Sequence, residues 1–268
     1  MKRKPLFQIV YEDDCIIAAD KASGLPVGGD RWDDSRERLD RLLAGALRAG
    51  GGEIPPGEKA GKRLFTVHRI DRDASGIVVF AKDEESHRSL SLAFQDRRVR
   101  KRYIAVVHGR PGWEETLCDL PLVPNGNKRH LTIIEKYRGK ASLTRFRLLG
   151  GAGNYSVIEA LPETGRTHQI RVHLASLGHP IACDPFYGSA KPVFLSSFKP
   201  GWRGEPLDER PLLQRLALHA LDLTLPPGIP GRRDAGELRI RAPLHRDMAA
   251  LIKQMEKRAG TGFAVWAD

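Results

Sequence analysis

The sequence predicts an α+β fold with a central sheet that is largely antiparallel or mixed. Short apolar segments of strand length follow one another along most of the chain, and only a few segments have the spacing of amphipathic helices. The two types do not alternate strictly, as they would in a parallel sheet built from βαβ units. We therefore expect one sheet flanked by helices and loops.

The strands are predicted from short apolar runs, the first two of which are joined across an acidic turn as a hairpin. The run at 77–80 is rich in β-branched residues, which favours a buried strand over a helix. The predicted strands lie at residues 6–11, 15–19, 77–80, 103–107, 131–134, 143–149, 155–161, 216–225 and 238–241.

The helices are predicted from capping residues followed by apolar faces. Asp34 and Glu37 form a capping box for the first helix. Asp83 is expected to cap the second helix, and Thr167 a short third one. The face of the last helix is formed by Met248, Leu251, Ile252 and Met255. Irregular loops are expected at 50–63 and 189–214.

The composition points to a polyanionic partner. The 268 residues include 44 Lys and Arg against 33 Asp and Glu, which gives a formal net charge of +11. Such an excess suits nucleic acid or an acidic membrane surface, although it could also be a solubilising surface charge. The 3 cysteines are widely spaced and form no CxxC pair, which argues against a disulfide framework and a thiolate zinc site. Apolar runs fall far short of the ~20 residues of a membrane span, and no signal peptide is recognised. We expect a cytoplasmic protein.

A polar loop between apolar segments, in the stretch HRIDRDASGIVVF at 68–80, is the strongest candidate for chemistry. It does not match a kinase catalytic loop, because Ile70 separates Arg69 from Asp71. Ser75 lacks the flanking glycines of a serine-hydrolase elbow. An aspartate beside arginine stays ionised and can act as a nucleophile or a general base. The alternative is a structural ion pair in a turn.

Several stretches carry motifs in one order along the chain. They read HRIDRDASG at 68–76, KRYIAVVHG at 101–109, TGRTHQIRVHL at 164–174 and GHPIACDPFYG at 178–188. In turn they resemble the HRLDxxTSG, KxYxAxVxG, TGRxHQIRxH and GHPIxGDxxYG motifs of the RluA-type pseudouridine synthases. The hairpin at 16–26 is similar to that family's segment ending in KPSGL. The likeness extends from about residue 8 to about residue 225.

The resemblance implies the pseudouridine synthase fold, with residues 1–268 as a single catalytic domain and no N-terminal S4 domain. It implies an isomerase that converts uridine in ribosomal or transfer RNA to pseudouridine, without a metal or another cofactor. The sequence has no dinucleotide fingerprint. His168 and His173 do not have ligand spacing, since a step of five residues turns them roughly 140° apart on a helix. We expect a monomer that binds RNA and no membrane.

The resemblance also assigns roles to individual residues. Asp71 matches the family's catalytic carboxylate, and Arg171 matches the arginine expected to pair with it and keep it ionised. Tyr103 matches the tyrosine expected to lie against the uracil. Arg69 matches the residue expected to fill the space left when the target base leaves its stack. Whether Asp71 attacks C1′ or removes a sugar proton is left open.

Other polar residues are expected to support the site. Asp73 is interpreted as a turn or salt-bridge residue, and His68 as a structural hydrogen-bonding histidine. The run at 97–102 carries five positive charges in six residues, which favours phosphate contacts over a merely solvated face. The residues expected to contact RNA phosphates are Lys21, Arg98, Arg100, Lys101, Arg102 and Arg166.

Departures from the family motifs leave the substrate open. Ala22, Ala74 and Cys183 stand where the family has Pro, Thr and Gly. One rival function is a non-catalytic RNA-binding protein or RNA chaperone on the same fold. Another is a glycosidase, which would need a paired acid. Which RNA is modified is expected to depend on the loops at 50–63 and 189–214.

Overall fold

In the computed structural model, the chain divides into two units. The first unit comprises Met1–Arg100 and Asp222–Pro243, and the second comprises Lys101–Leu221 and Leu244–Asp268. That residues 1–268 act as a single catalytic domain stays a prediction. The described residues are 5–29, 37–49, 64–127, 131–199, 201–230, 232 and 236–266.

The elements confirm an α+β fold. The strands are β1 (Phe7–Glu12), β2 (Ile16–Lys21), β3 (Phe65–Thr66), β4 (Ser75–Ala81), β5 (Arg100–His108), β6 (Glu115–Cys118), β7 (Leu122–Val123), β8 (Ile133–Ile134), β9 (Thr144–Ala152), β10 (Tyr155–Pro162), β11 (Leu218–Leu225) and β12 (Leu238–Arg241). The helices are α1 (Leu39–Ala49), α2 (Glu84–Gln95), α3 (Gln169–Ser176) and α4 (Arg246–Ala259). Among the described residues, no helix is both long and apolar enough to span a membrane.

The first unit is built on the antiparallel strands β1, β2 and β4, with β3 also paired to β4. Every residue of β2 and β4 is buried. The β1–β2 turn is held by Asp13, whose Oδ1 accepts hydrogen bonds from the backbone N–H groups of Cys15 and Ile16. The predicted hairpin and the buried strand at 77–80 are therefore confirmed.

Two helices of the first unit follow their predicted positions. Asp83 caps α2, because its Oδ1 accepts from Ser86 N at 2.8 Å and its Oδ2 from Ser86 Oγ at 2.7 Å. Helix α1 ends at Ala49, but the Asp34 capping residue and the loop at 50–63 lie outside the described residues.

The second unit is organised around β10, which pairs antiparallel with β5 on one side and with β9 on the other, while β6 lies beyond β9. Thr144 at the start of β9 contacts α3, because its hydroxyl binds both Gln169 Nε2 and His173 Nδ1. Helix α3 therefore covers the sheet face to which Thr144 points. Strands β7 and β8 form a separate short hairpin. Between 189 and 214 the described residues form turns and isolated bridges, such as that of Val193 with Leu213, and no helix or longer strand.

The prediction that Thr167 caps α3 is wrong. Helix α3 begins at Gln169, and the capping position is taken by His168, in the left-handed conformation at φ 54° and without a side-chain cap. The preceding turn is held instead by Gln169, whose Oε1 accepts hydrogen bonds from Thr164 Oγ1 and from Arg166 N. A side chain inside the helix has taken over the role expected of the cap.

Candidate active site

Asp71 lies in a tight turn immediately ahead of β4. Its carbonyl oxygen accepts a hydrogen bond from Ala74 N at 3.2 Å, which closes the turn. Ile70 and Ala74 are buried, whereas Asp71 is only partly buried. The core therefore holds the backbone on both sides of a carboxylate that is not itself enclosed.

The motif turn is held from the opposite strand by Lys21. This lysine is fully buried, and its Nζ lies 2.7 to 2.9 Å from the carbonyl oxygens of Ala22, Leu25, Arg72 and Ala74. The prediction that Lys21 contacts phosphate is wrong, because its ammonium group is turned inward and is used on backbone carbonyls. It joins the KASGL segment to the Asp71 turn.

Two further residues of the KASGL segment bind the same turn. Gly24 N donates to Arg72 O at 2.9 Å, and the Ser23 hydroxyl donates to Asp73 O. Gly24 has a φ of +90°, which favours glycine at this position. The segment that resembles the family's KPSGL therefore fixes the backbone around Asp71, a role that the sequence pattern alone did not reveal.

His68 and Asp73, which flank the predicted catalytic position in the turn, have structural roles, as expected. Val79 N donates to His68 Nε2 at 2.9 Å, so this ring nitrogen carries no proton, and the ring stacks on Phe94 at 4.7 Å. Asp73 forms an ion pair with Arg72 at 3.2 Å. Arg69 is exposed and makes no hydrogen bond or ion pair with any residue that the structure describes.

Arg171 lies on α3 in the second unit and forms a buried ion pair with Asp184. Its Nε and Nη2 each lie 2.8 Å from a carboxylate oxygen of Asp184, and the two side chains are 1% and 0% exposed. The rings of Phe186 and Tyr187 lie 5.1 and 5.3 Å from the guanidinium carbon. Asp184 is the aspartate of the GHPIxGDxxYG motif, and no role was predicted for it. The predicted pairing of Arg171 with Asp71 stays a prediction.

The electrostatics keep the Asp184 carboxylate ionised. Burial alone would raise its pKa, but the hydrogen bonds and charge of Arg171 and the backbone N–H groups of Phe186 and Tyr187 hold the pKa below its ordinary value. An ionised carboxylate accepts two hydrogen bonds from a guanidinium in a fixed plane. Asp184 therefore sets the orientation of Arg171.

Tyr187 links the Arg171–Asp184 ion pair to Thr132 and His168. Its hydroxyl accepts a hydrogen bond from Thr132 N at 3.0 Å and lies 2.9 Å from His168 Nδ1. Burial raises the pKa of Tyr187, so the phenol is protonated at neutral pH. The His168 ring also lies 5.9 Å from that of Phe186. Aromatic and hydrogen-bonding groups thus surround the Arg171 guanidinium.

Tyr103 lies on β5 in the same unit, in register with Ala160 of β10, which is in turn paired with Phe146 of β9. Residues in register share a sheet face, and so do residues two apart on one strand. Phe146 is two residues from Thr144, so Tyr103 belongs to the sheet face covered by α3. Its predicted role against the uracil stays a prediction.

The basic run at 97–102 is largely paired with acidic residues. Arg100 makes two hydrogen bonds of 2.9 Å to Glu237 at an exposed site, and Arg98 lies 3.7 Å from Asp96. Such exposed pairs are weak, so both arginines can still turn to phosphate. Lys101 Nζ lies 3.5 Å from Thr164 O. For these residues the phosphate contacts stay predictions.

Arg102 does not have the exposed position that was expected. Its Nε lies 2.6 Å from Glu159, and the two side chains are only 15% and 5% exposed. Arg102 is therefore part of an ion pair between β5 and β10, in place of the predicted phosphate contact. Arg166 remains available at the surface, where its Nε donates to Ala141 O at 3.3 Å.

A family model described as RNA pseudouridylate synthase matches residues 16–176, which include the Asp71 turn, Tyr103 and Arg171. The chain belongs to this family. The expected class of enzyme, an RNA pseudouridine synthase of the isomerases, is thereby confirmed.

Two bacterial proteins with similar sequences support the assignment to this family. The chain is 33% identical over 252 residues to the ribosomal large subunit pseudouridine synthase D of Zymomonas mobilis, covering 92% of this chain and 72% of the relative. It is 33% identical over 250 residues to the ribosomal large subunit pseudouridine synthase C of Vibrio cholerae, covering 93% and 69%.

A solved structure shares the fold. The structure of human RNA pseudouridylate synthase domain containing 4 matches with a TM-score of 0.65 and 23% identity, over 92% of each chain.

Proposed function

We propose that the protein isomerises uridine to pseudouridine in large-subunit ribosomal RNA, with Asp71 as the catalytic carboxylate. Relatives named ribosomal large subunit pseudouridine synthases match 92% and 93% of the chain, which supports this substrate. The net charge of +11 suits a polyanion. A cytoplasmic location and a monomeric state remain predictions.

The observation that carries the proposal is the fixed turn around Asp71. The reaction breaks the N1–C1′ bond of uridine, turns the freed uracil and rejoins it through C5. A catalytic carboxylate must keep its position relative to the sugar while the base moves. The hydrogen bonds from Lys21 and Gly24 to the turn's carbonyl oxygens fix that backbone before any RNA binds. Such preorganisation lowers the entropic part of the barrier.

The remaining roles are proposed residue by residue. The target base must leave its stack before a protein group can reach C1′. Arg69 is exposed and is proposed to stack in the vacated space, since a planar guanidinium can replace a base between its neighbours. Tyr103 is proposed to lie against the uracil. Arg171, held by Asp184, is proposed as the cationic partner of the Asp71 carboxylate.

The test compares Asp71→Asn with Asp73→Asn. Both substitutions remove one carboxylate from the same turn, and Asp73 is a matched control because its visible partner is the surface residue Arg72. Pseudouridine is mapped by carbodiimide adducts and primer extension on large-subunit ribosomal RNA transcripts incubated with each variant, with transfer RNA as a comparison. We expect Asp71→Asn to lose at least about 100-fold in rate and Asp73→Asn to act like the wild type.

The same variants should bind the transcript with equal affinity, since neither position is proposed to contact phosphate. Retention of full activity by Asp71→Asn would exclude Asp71 as the catalytic group. Modification of transfer RNA but not of ribosomal RNA would leave the reaction in place and overturn the proposed substrate.

A further inference from the structure

The turn that follows β8 presents an aromatic side chain between two cations. Lys136, Tyr137 and Arg138, which we call the KYR turn, are all exposed. Tyr137 is 95% exposed, the highest value among the exposed large hydrophobic side chains of the described residues.

The KYR turn has a defined backbone. Gly139 N donates to Glu135 O at 2.9 Å, and Glu135 N donates to Pro121 O at 3.0 Å. A Cβ on Gly139 would lie 2.2 Å from Glu135 O, so the turn closes tightly enough to require glycine there. The Glu135 carboxylate accepts from Tyr137 N at 3.2 Å. Tyr137 is therefore presented on a fixed support, which reduces the entropy lost when a ligand binds.

The hairpin that carries the turn is attached at one end to α3 and at the other end to Tyr187, whose ring lies against Arg171 of that helix. Ahead of β7, the carbonyl oxygen of Leu120 binds His173 Nε2 of α3 at 3.0 Å. Ahead of β8, Thr132 N donates to the hydroxyl of Tyr187, whose ring lies 5.3 Å from the Arg171 guanidinium carbon. A ligand on the KYR turn is thus placed by the same elements that place Arg171.

The chemistry of the turn selects its ligand. A ring stacks on any base, and flanking cations attract the phosphates on either side of it. A paired base has its faces covered by its neighbours and offers no such surface. Glu135 balances only part of the charge, since it lies 3.5 Å from Arg138, and Lys136 and Lys140 are exposed as well.

We propose that the KYR turn is an RNA-binding element that stacks an unpaired base on Tyr137 and holds the adjoining phosphates with Lys136 and Arg138. The inference rests on the proposed function, and it adds a contact to the RNA flanking the target uridine. An element of this kind favours target uridines that lie in single-stranded or looped RNA.

The test uses Tyr137→Ala and, as a matched control that keeps the aromatic ring, Tyr137→Phe. Affinity is measured by fluorescence anisotropy with a labelled single-stranded oligouridylate of about 12 nucleotides and with a duplex of equal length. The kcat and KM values for pseudouridine formation are measured on the ribosomal RNA transcript.

We expect Tyr137→Ala to weaken single-strand binding and to raise KM by between about 5-fold and 100-fold, with kcat and duplex binding little changed. Tyr137→Phe should keep the wild-type affinity, because phenylalanine retains the stacking ring. Lys136→Ala and Arg138→Ala should each reduce the slope of log affinity against log salt by about 0.7. Thermal unfolding of every variant should match the wild type, since these side chains are exposed.

Equal single-strand affinity and equal KM for Tyr137→Ala and the wild type would overturn the inference. The binding measurement separates this outcome from a failure of the proposed function. If the wild type forms no pseudouridine but Tyr137→Ala still loses single-strand binding, the RNA-binding element stands and the proposed reaction fails.

Discussion

The guanidinium group of Arg171 and the carboxylate of Asp184 form two parallel hydrogen bonds of 2.8 Å in the interior of the second unit. A buried pair of this kind contributes little net stability, because desolvation offsets much of the attraction. Its value here is geometric. The aspartate fixes the plane of the guanidinium, and the rings of Phe186 and Tyr187 flank it.

Asp184→Asn should destabilise the protein by about 3 to 5 kcal/mol at pH 7, because it leaves the buried Arg171 cation without its counter-charge. The measurement is urea-induced unfolding. Asp247→Asn is the control: its ion pair with Arg215 is partly exposed, at 30% and 17%, so its loss should cost only about 1 kcal/mol. An equal loss in the free energy of unfolding for the two variants would show that the buried Asp184 pair contributes no more to stability than the partly exposed Asp247 pair.

The stability difference between wild type and Asp184→Asn should shrink in acid. The pKa of Asp184 is held below its ordinary value by Arg171, against the effect of burial. The pair's contribution is therefore complete above the unfolded pKa, roughly 3.9, and is lost as the pH falls through the folded value. Unfolding curves of both proteins between pH 7 and pH 3 test this. A difference that grows in acid would have the wrong sign.

Lys21→Met should loosen the Asp71 turn. The substitution keeps the aliphatic stem but removes the ammonium group that binds Arg72 O and Ala74 O, and hydrogen bonds from a charged donor contribute about 1.5 to 3 kcal/mol each. We expect a stability loss of about 3 kcal/mol or more and a fall in kcat. Lys253→Met, which removes an exposed lysine over the ring of Trp266, is the control and should cost less than about 1 kcal/mol. If Lys21→Met kept the wild-type kcat, the hydrogen bonds of Lys21 would not be needed for catalysis.

The cysteines should be unreactive in the folded protein. All 3 are free and buried. Burial raises the pKa of Cys15 and of Cys118, and it raises the pKa of Cys183 to about 11. At pH 8 only roughly one Cys183 in a thousand is then a thiolate, the reactive form. Ellman's reagent at pH 8 should titrate no thiol rapidly in the native protein and all 3 in guanidinium chloride. Rapid labelling of one native thiol would contradict the burial.

Features set by neighbouring residues could be predicted from the sequence. Asp83 caps α2 because an N-cap depends on its own side chain and the next turn of the chain. The buried strand β4 follows from a run of apolar residues, and the position of Asp71 follows from the motif around it. The φ of +58° at Cys183 explains why the family has glycine there, since the left-handed region disfavours other residues.

Features set by distant residues could not be predicted. Lys21 and Arg102 count as positive charges in the sequence, but two of the four carbonyl groups that bind Lys21, and the carboxylate that binds Arg102, come from residues 51 to 57 positions away. Asp184 was overlooked for the same reason, since its partner Arg171 is on another element. Thr167 is a good capping residue by type, yet Gln169 forms a better set of hydrogen bonds with the same turn.

Arg102→Met should lower stability without changing the salt dependence of RNA binding. Arg102 Nε lies 2.6 Å from Glu159, whose side chain is 5% exposed, so its removal leaves this carboxylate with only the partly exposed Arg147 as a partner and should cost about 1.5 to 3 kcal/mol. Arg147 binds the same glutamate at 3.0 Å but is 45% exposed, and Arg147→Met should cost less than about 1 kcal/mol.

A phosphate-binding arginine would instead reduce the slope of log affinity against log salt by about 0.7 on single-stranded RNA. A reduced slope with unchanged stability would return Arg102 to the RNA-binding surface. An unchanged slope with the larger loss of stability would establish it as the ion pair that joins β5 to β10.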